Sequence, residues 1–75
     1  MGVTGKIYGI NGPVISILGN LGFKMNEMVY VGEKRLVGEV IGLTREKTTV
    51  QVYEETSGLK PGELVEGTGG AISVT

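Results

Sequence analysis

Wherever apolar and polar positions alternate along this chain, they do so with period two. The clearest case is Thr48-Thr49-Val50-Gln51-Val52-Tyr53, where Val50 and Val52 point one way and Thr49, Gln51 and Tyr53 the other, as in a half-buried strand. Leu36-Val37-Gly38-Glu39-Val40-Ile41-Gly42-Leu43 places Leu36, Gly38 and Val40 on one face and Val37, Glu39 and Ile41 on the other. Both faces carry apolar residues, so this strand is expected to meet a barrel interior on one side and a neighbour on the other. Gly38 and Gly42 would let it curl.

The remaining strands are shorter. Lys6-Ile7-Tyr8-Gly9-Ile10 is the first, with a bulge expected at Gly9. Asn11-Gly12-Pro13 turns the chain into Val14-Ile15-Ser16-Ile17-Leu18. Residues 23–27 have no period and read as a loop that drops Phe23 or Met25 onto a barrel mouth. Met28-Val29-Tyr30-Val31 follows, then the solvated connection Glu33-Lys34-Arg35. After the fifth strand, Glu54-Glu55-Thr56-Ser57-Gly58 leaves the sheet. Leu64-Val65-Glu66 is expected as a short strand, Gly67-Thr68-Gly69-Gly70 as a turn, and Ala71-Ile72-Ser73-Val74 as a last strand.

No segment holds a helical period over the length a helix needs. Six or seven short strands punctuated by glycine predict an all-β fold. At 75 residues a closed antiparallel barrel is favoured over a sandwich, because closure removes edges that so small a sheet could not protect. Fourteen glycines, well above the usual ~7%, fit turns and bulges. The chain reads as a single domain over residues 1–75.

Composition narrows the chemistry. There is no cysteine and no histidine, which removes disulfides, thiolate or imidazole metal ligands and the commonest general base. All the acids are Glu, and the net charge is −1. The basic residues are scattered and Glu33 and Glu46 neutralise their neighbours, so no nucleic-acid partner is expected. Gly5-Lys6 leads into a strand rather than a helix, and the glycines at 67, 69 and 70 lack a following Lys-Ser/Thr, so neither makes a phosphate loop. Glu54 and Glu55, as neighbours leaving a strand, point apart and read as solvated or interface carboxylates. Glu39 shares its face with Val37 and Ile41. If that face is covered, its carboxylate should be paired, for instance across a boundary between subunits. No catalytic, cofactor or metal residue is assigned. No apolar run approaches the ~20 residues that cross a bilayer as a helix.

The ordered motifs are more specific than any one of them. Gly5-Lys6-Ile7, Gly12-Pro13-Val14, Met28-Val29-Tyr30-Val31-Gly32-Glu33, Leu36-Val37-Gly38-Glu39-Val40-Ile41, Val50-Gln51-Val52-Tyr53-Glu54-Glu55-Thr56-Ser57-Gly58, Pro61-Gly62-Glu63, Thr68-Gly69 and Ser73-Val74 follow one another. Together they resemble the N-terminal β-barrel of the catalytic A subunit of V-type and archaeal A-type rotary ATPases. The family usually continues with Glu-Leu-Gly-Pro-Gly where Thr75 stands here.

The resemblance implies a six-stranded barrel and a fragment of a longer polypeptide. It implies a place in a crown of alternating A and B barrels that holds the catalytic hexamer together. The parent protein would bind ATP and magnesium and hydrolyse ATP, coupled to proton or sodium transport, or run as an ATP synthase. The fragment itself would be an assembly module without catalysis or cofactor. Its partners would be the B-subunit barrels, with Val37, Glu39 and Ile41 as the candidate contact. The implied place is cytoplasmic, peripheral to a membrane-bound complex and without direct membrane contact. An isolated crown barrel exposes surface it normally covers, which predicts weak self-association. The alternative is an independent binding barrel of nucleic-acid or adaptor type.

Overall fold

The computed structural model describes residues 3–19 and 22–71. It contains six strands: β1 (Thr4–Asn11), β2 (Val14–Leu18), β3 (Glu27–Val31), β4 (Leu36–Leu43), β5 (Lys47–Val52) and β6 (Leu64–Ala71). They close into one barrel in the order β1-β2-β5-β4-β3-β6. Every neighbouring pair is antiparallel, including β6 on β1, where Lys6 faces Leu64. Closure leaves no edge for a stray strand to join. The expected all-β closed barrel is what forms.

The alternation read from the sequence decides which side chains fill it. Thr48, Val50 and Val52 point inward from β5, and Gly38 and Val40 from β4. With Ile7, Ile15, Ile17, Val29, Val31, Val65 and Phe23 they form the core. All but Phe23 of the buried apolar side chains are Ile or Val, stiff shapes that suit a narrow bore. Burying each such side chain contributes about 1.5–3 kcal/mol. Thr48, the polar member of the layer, donates its hydroxyl to the Gly19 carbonyl at 2.9 Å.

The barrel curls where the ladder slips. Register shifts fall between Ile7 and Gly9 on β1, between Glu27 and Val29 on β3 and between Val40 and Gly42 on β4. Gly38 serves a different need. A Cβ there would stand 3.0 Å from the Gln51 carbonyl oxygen and 3.0 Å from Val50 Cγ1, so a side chain on Gly38 would push β5 back by a few tenths of an ångström. Phe23, rather than Met25, plugs the mouth; Met25 is exposed.

One expectation fails. Residues 67–70 do not turn the chain back; they lie inside β6, where the pairing with β3 slips between Val29 on Gly67 and Glu27 on Ala71. Glycine is needed there for space. The side chain that fills it is Glu27, whose carboxylate lies where a Cβ on Gly67 would stand. The expected last strand overlaps β6 only at Ala71, and Ile72, Ser73 and Val74 lie outside the described residues.

Candidate functional site: the outer face of β4

Val37, Glu39 and Ile41 project together from the outside of β4. Val37 and Glu39 are half-buried by their neighbours, and Ile41 is exposed. Across the ladder Val37 faces Tyr30, and Glu39 lies between Met28 and Gln51. Tyr53, just past β5, extends the pairing by donating its N–H to the Val37 carbonyl at 2.9 Å. The result is a patch of apolar and aromatic surface around one carboxylate.

If this face is covered, that carboxylate is expected to be paired, for instance across a boundary between subunits. Both of its oxygens are already held within the chain. Oε1 accepts from the Tyr53 hydroxyl, and Oε2 accepts from Asn26 Nδ2 at 3.0 Å. The Tyr53 bond, and secondarily the Asn26 bond, hold the Glu39 carboxyl below its ordinary range. The same Tyr53 bond raises the phenol, because losing its proton would set two anions side by side. Asn26 reaches this position from a left-handed backbone, φ 64°, which Asn tolerates better than most residues.

The two adjacent acids of the strand exit divide their work. Glu54 Oε2 accepts the Val37 N–H at 2.8 Å; with the Tyr53 bond this completes the backbone bonding of Val37. Glu55 is exposed. The pair converges on no common point, as expected from their adjacency. Downstream, Thr56 donates its hydroxyl to the Gly12 carbonyl at 2.9 Å, tying the long loop to the first hairpin.

Sequence reasoning did not single out Glu27. It is 2% exposed. Its Oε1 accepts the Lys24 N–H at 2.8 Å and its Oε2 the Gly69 N–H at 2.8 Å. The carboxylate thereby ties the loop before β3 to the end of β6. The glycines of β6 leave room beside the strand for a neighbouring side chain, and Glu27 and Phe23 both approach Gly67 there. Because the Gly67 N–H donates to the Val3 carbonyl and the Gly69 N–H to Glu27, these amides are not available to cradle an anion.

On the next outer face, the Arg35 guanidinium lies 4.5 Å from the Tyr30 ring centroid and bonds Glu66 Oε1 at 2.7 Å. Both charged side chains are more than half exposed, so the pair organises surface rather than adding much stability. Among the described residues, no group of three or more acids or other ligating side chains could hold a metal ion. No helix there is long and apolar enough to cross a membrane.

The family model described as "ATP synthase alpha/beta family, beta-barrel domain" matches residues 7–69. The chain is 56% identical over 72 residues to the V-type ATP synthase alpha chain 2 of Clostridium tetani, covering 96% of this chain and 12% of that protein. It is 54% identical over 72 residues to the A subunit of the A-type ATP synthase of Methanococcus maripaludis, and 51% identical over 72 residues to that of Methanopyrus kandleri. In both cases the match again covers 96% of this chain and 12% of the relative.

Proposed function

Because the chain belongs to the ATP synthase alpha/beta family, whose β-barrel domain it matches over residues 7–69, we propose that it is the crown barrel of a rotary-ATPase A subunit. In this reading residues 1–75 are one domain at the N-terminal end of a longer catalytic polypeptide. It seats against B-subunit barrels through Val37, Glu39 and Ile41 and holds the alternating head together. The parent protein binds ATP and magnesium and couples ATP hydrolysis or synthesis to proton or sodium movement, in a head peripheral to the membrane on its cytoplasmic side. The barrel supplies assembly, not chemistry.

The observation that carries this reading is the outer face of β4. Val37 and Ile41 flank a carboxylate whose oxygens are already bonded by Tyr53 and Asn26. Such a group loses less when water leaves than a free carboxylate would, because its acceptors stay occupied. The apolar residues beside it gain from cover.

The experiment is substitution of Val37→Ala and Ile41→Ala in the full-length A chain, co-expressed with its B partner. Native mass analysis reads the assembled head; thermal melts of the isolated barrel read folding. The expected result is loss of assembly well beyond the loss of folding stability. Equal loss of both, or neither, contradicts the proposal.

A further inference from the structure

Glu27 is buried and Glu39 projects from the outside of the barrel, and Asn26 links the two. The loop before β3 is closed on itself by Glu27. Its N–H donates to the Lys24 carbonyl at 3.1 Å, and its Oε1 takes the Lys24 N–H at 2.8 Å. Oε2 reaches across to the Gly69 N–H at 2.8 Å, and beside it the Thr68 hydroxyl donates to the Met28 carbonyl at 2.7 Å. The loop is thus fastened to the end of β6. Asn26, with φ 64°, turns outward. Its N–H donates to the Val40 carbonyl at 2.9 Å and its Nδ2 to Glu39 Oε2 at 3.0 Å. Glu39 in turn accepts from the Tyr53 hydroxyl. The connections run unbroken from Gly69 on β6 through Glu27 and Asn26 to Glu39 on β4 and Tyr53 beyond β5.

A left-handed backbone at a residue other than glycine persists only where its surroundings hold it. Two bonds to β4 and a turn closed by Glu27 do so here. If the turn loosens, the extended and right-handed conformations open to Asn carry Nδ2 away from Glu39. Glu39 then loses one of its two partners, and its bond with Tyr53 loses a fixed geometry. Glu27 itself, at 2% exposed, is out of reach of a protein docked on β4, so it acts on that face only through Asn26.

We infer that Glu27 is the positioning residue of the β4 contact: it holds Asn26 against Glu39, and so couples the end of β6 to the outer face of β4. The inference rests on the reading of that face as an interface and adds what sets its shape. In that reading β6 is the strand by which the chain leaves the barrel for the rest of the A subunit. A displacement there alters the contact, and the contact, by reciprocity, steadies the end of β6.

The first test uses this chain alone. Nuclear magnetic resonance follows the Tyr53 ring through its titration, with circular dichroism confirming the fold of each variant. Glu27→Gln removes one acceptor from the clasp, and Gly67→Ala crowds the Glu27 carboxylate without removing it. Either should bring the Tyr53 phenol down toward its ordinary 10.0 by about half a pH unit or more. Ile15→Val removes a methyl group from the core on β2, three strands from β3 in the ring, and should leave the titration in place. In an Asn26→Gly background, which permits the left-handed backbone and deletes the side chain, Glu27→Gln should add no further shift. A Tyr53 titration unmoved by both clasp variants overturns the inference, and so does an equal shift in Ile15→Val. The second test is assembly of the full-length A chain with its B partner, which Glu27→Gln should weaken about fivefold or more. Assembly that survives Glu27→Gln but not Ile41→Ala also overturns the inference. Assembly indifferent to Ile41→Ala overturns the β4 reading itself, and with it the contact that Glu27 would position; the Tyr53 result separates the two failures.

Discussion

The Glu27 carboxylate fills the volume that a side chain on Gly67 would need, and its Oε2 takes the N–H of Gly69 at 2.8 Å. A buried acid and two glycines thus form one device that fastens the end of β6 to the loop before β3. Gly67→Ala should destabilise the barrel by about 1–3 kcal/mol through overpacking. Glu27→Ala should cost about 2–5 kcal/mol, because it leaves buried N–H groups unmet and opens a cavity. The double variant should cost less than the sum of the two. Urea melts of the four chains form the cycle; strict additivity would mean that the two residues do not share the space.

The Glu39–Tyr53 bond makes a prediction in pH. The Glu39 carboxyl is lowered in the fold from 4.5. Its bonds therefore stabilise the barrel above that value, and the contribution is lost as pH falls through the lowered folded value. The Tyr53 phenol is raised from 10.0, so its contribution is present below pH 10.0 and lost as pH rises through the raised value. Glu39→Gln should bring the phenolate absorbance titration of Tyr53 back toward its ordinary position. An unmoved titration would show that Glu39 is not the cause.

Two glycines on the barrel wall should respond oppositely to alanine. At Gly38 a Cβ would stand 3.0 Å from the Gln51 carbonyl oxygen, and Gly38→Ala should cost about 1–3 kcal/mol. At Gly9 a Cβ would meet nothing within 4 Å, and Gly9→Ala should be neutral or stabilise by up to ~1 kcal/mol through the unfolded chain. Thermal melts rank them; a reversed order would contradict the account of why β4 carries glycine.

The adjacent acids Glu54 and Glu55 should differ as well. Glu54→Ala removes the acceptor of the Val37 N–H and should cost about 0.5–1.5 kcal/mol. Glu55→Ala should stay within about 0.5 kcal/mol of the unsubstituted chain. Equal effects in denaturant melts would remove Glu54 from its structural role.

The fold was legible where period two is strong. The bounds of β4, the slip at Gly9 and the shared outward face of Val37, Glu39 and Ile41 follow from alternation, which has one answer once one face is buried. Phe23 or Met25 was an open choice, because a loop has no period to arbitrate. The glycines of β6 were misread for a physical reason: a glycine that turns the chain and one that makes room for a neighbour look alike in a sequence. Glu27 was missed because a carboxylate at the start of a strand is usually solvated, and one of its N–H partners, Gly69, lies 42 positions further along the chain. The intrachain partners of Glu39 escaped for the same reason, since Asn26 and Tyr53 meet it only when β3, β4 and β5 stand side by side.

The central claim, that the outer face of β4 contacts a neighbouring protein of the head, is tested most directly by photo-crosslinking in the assembled complex. The barrel has no cysteine of its own, so in a full-length A chain cleared of thiols elsewhere Ile41→Cys can carry a benzophenone, with Lys34→Cys in the exposed β3–β4 turn as control. The account predicts an A–B crosslink from position 41 and none from position 34. A crosslink from position 34 alone would place the contact elsewhere and contradict it.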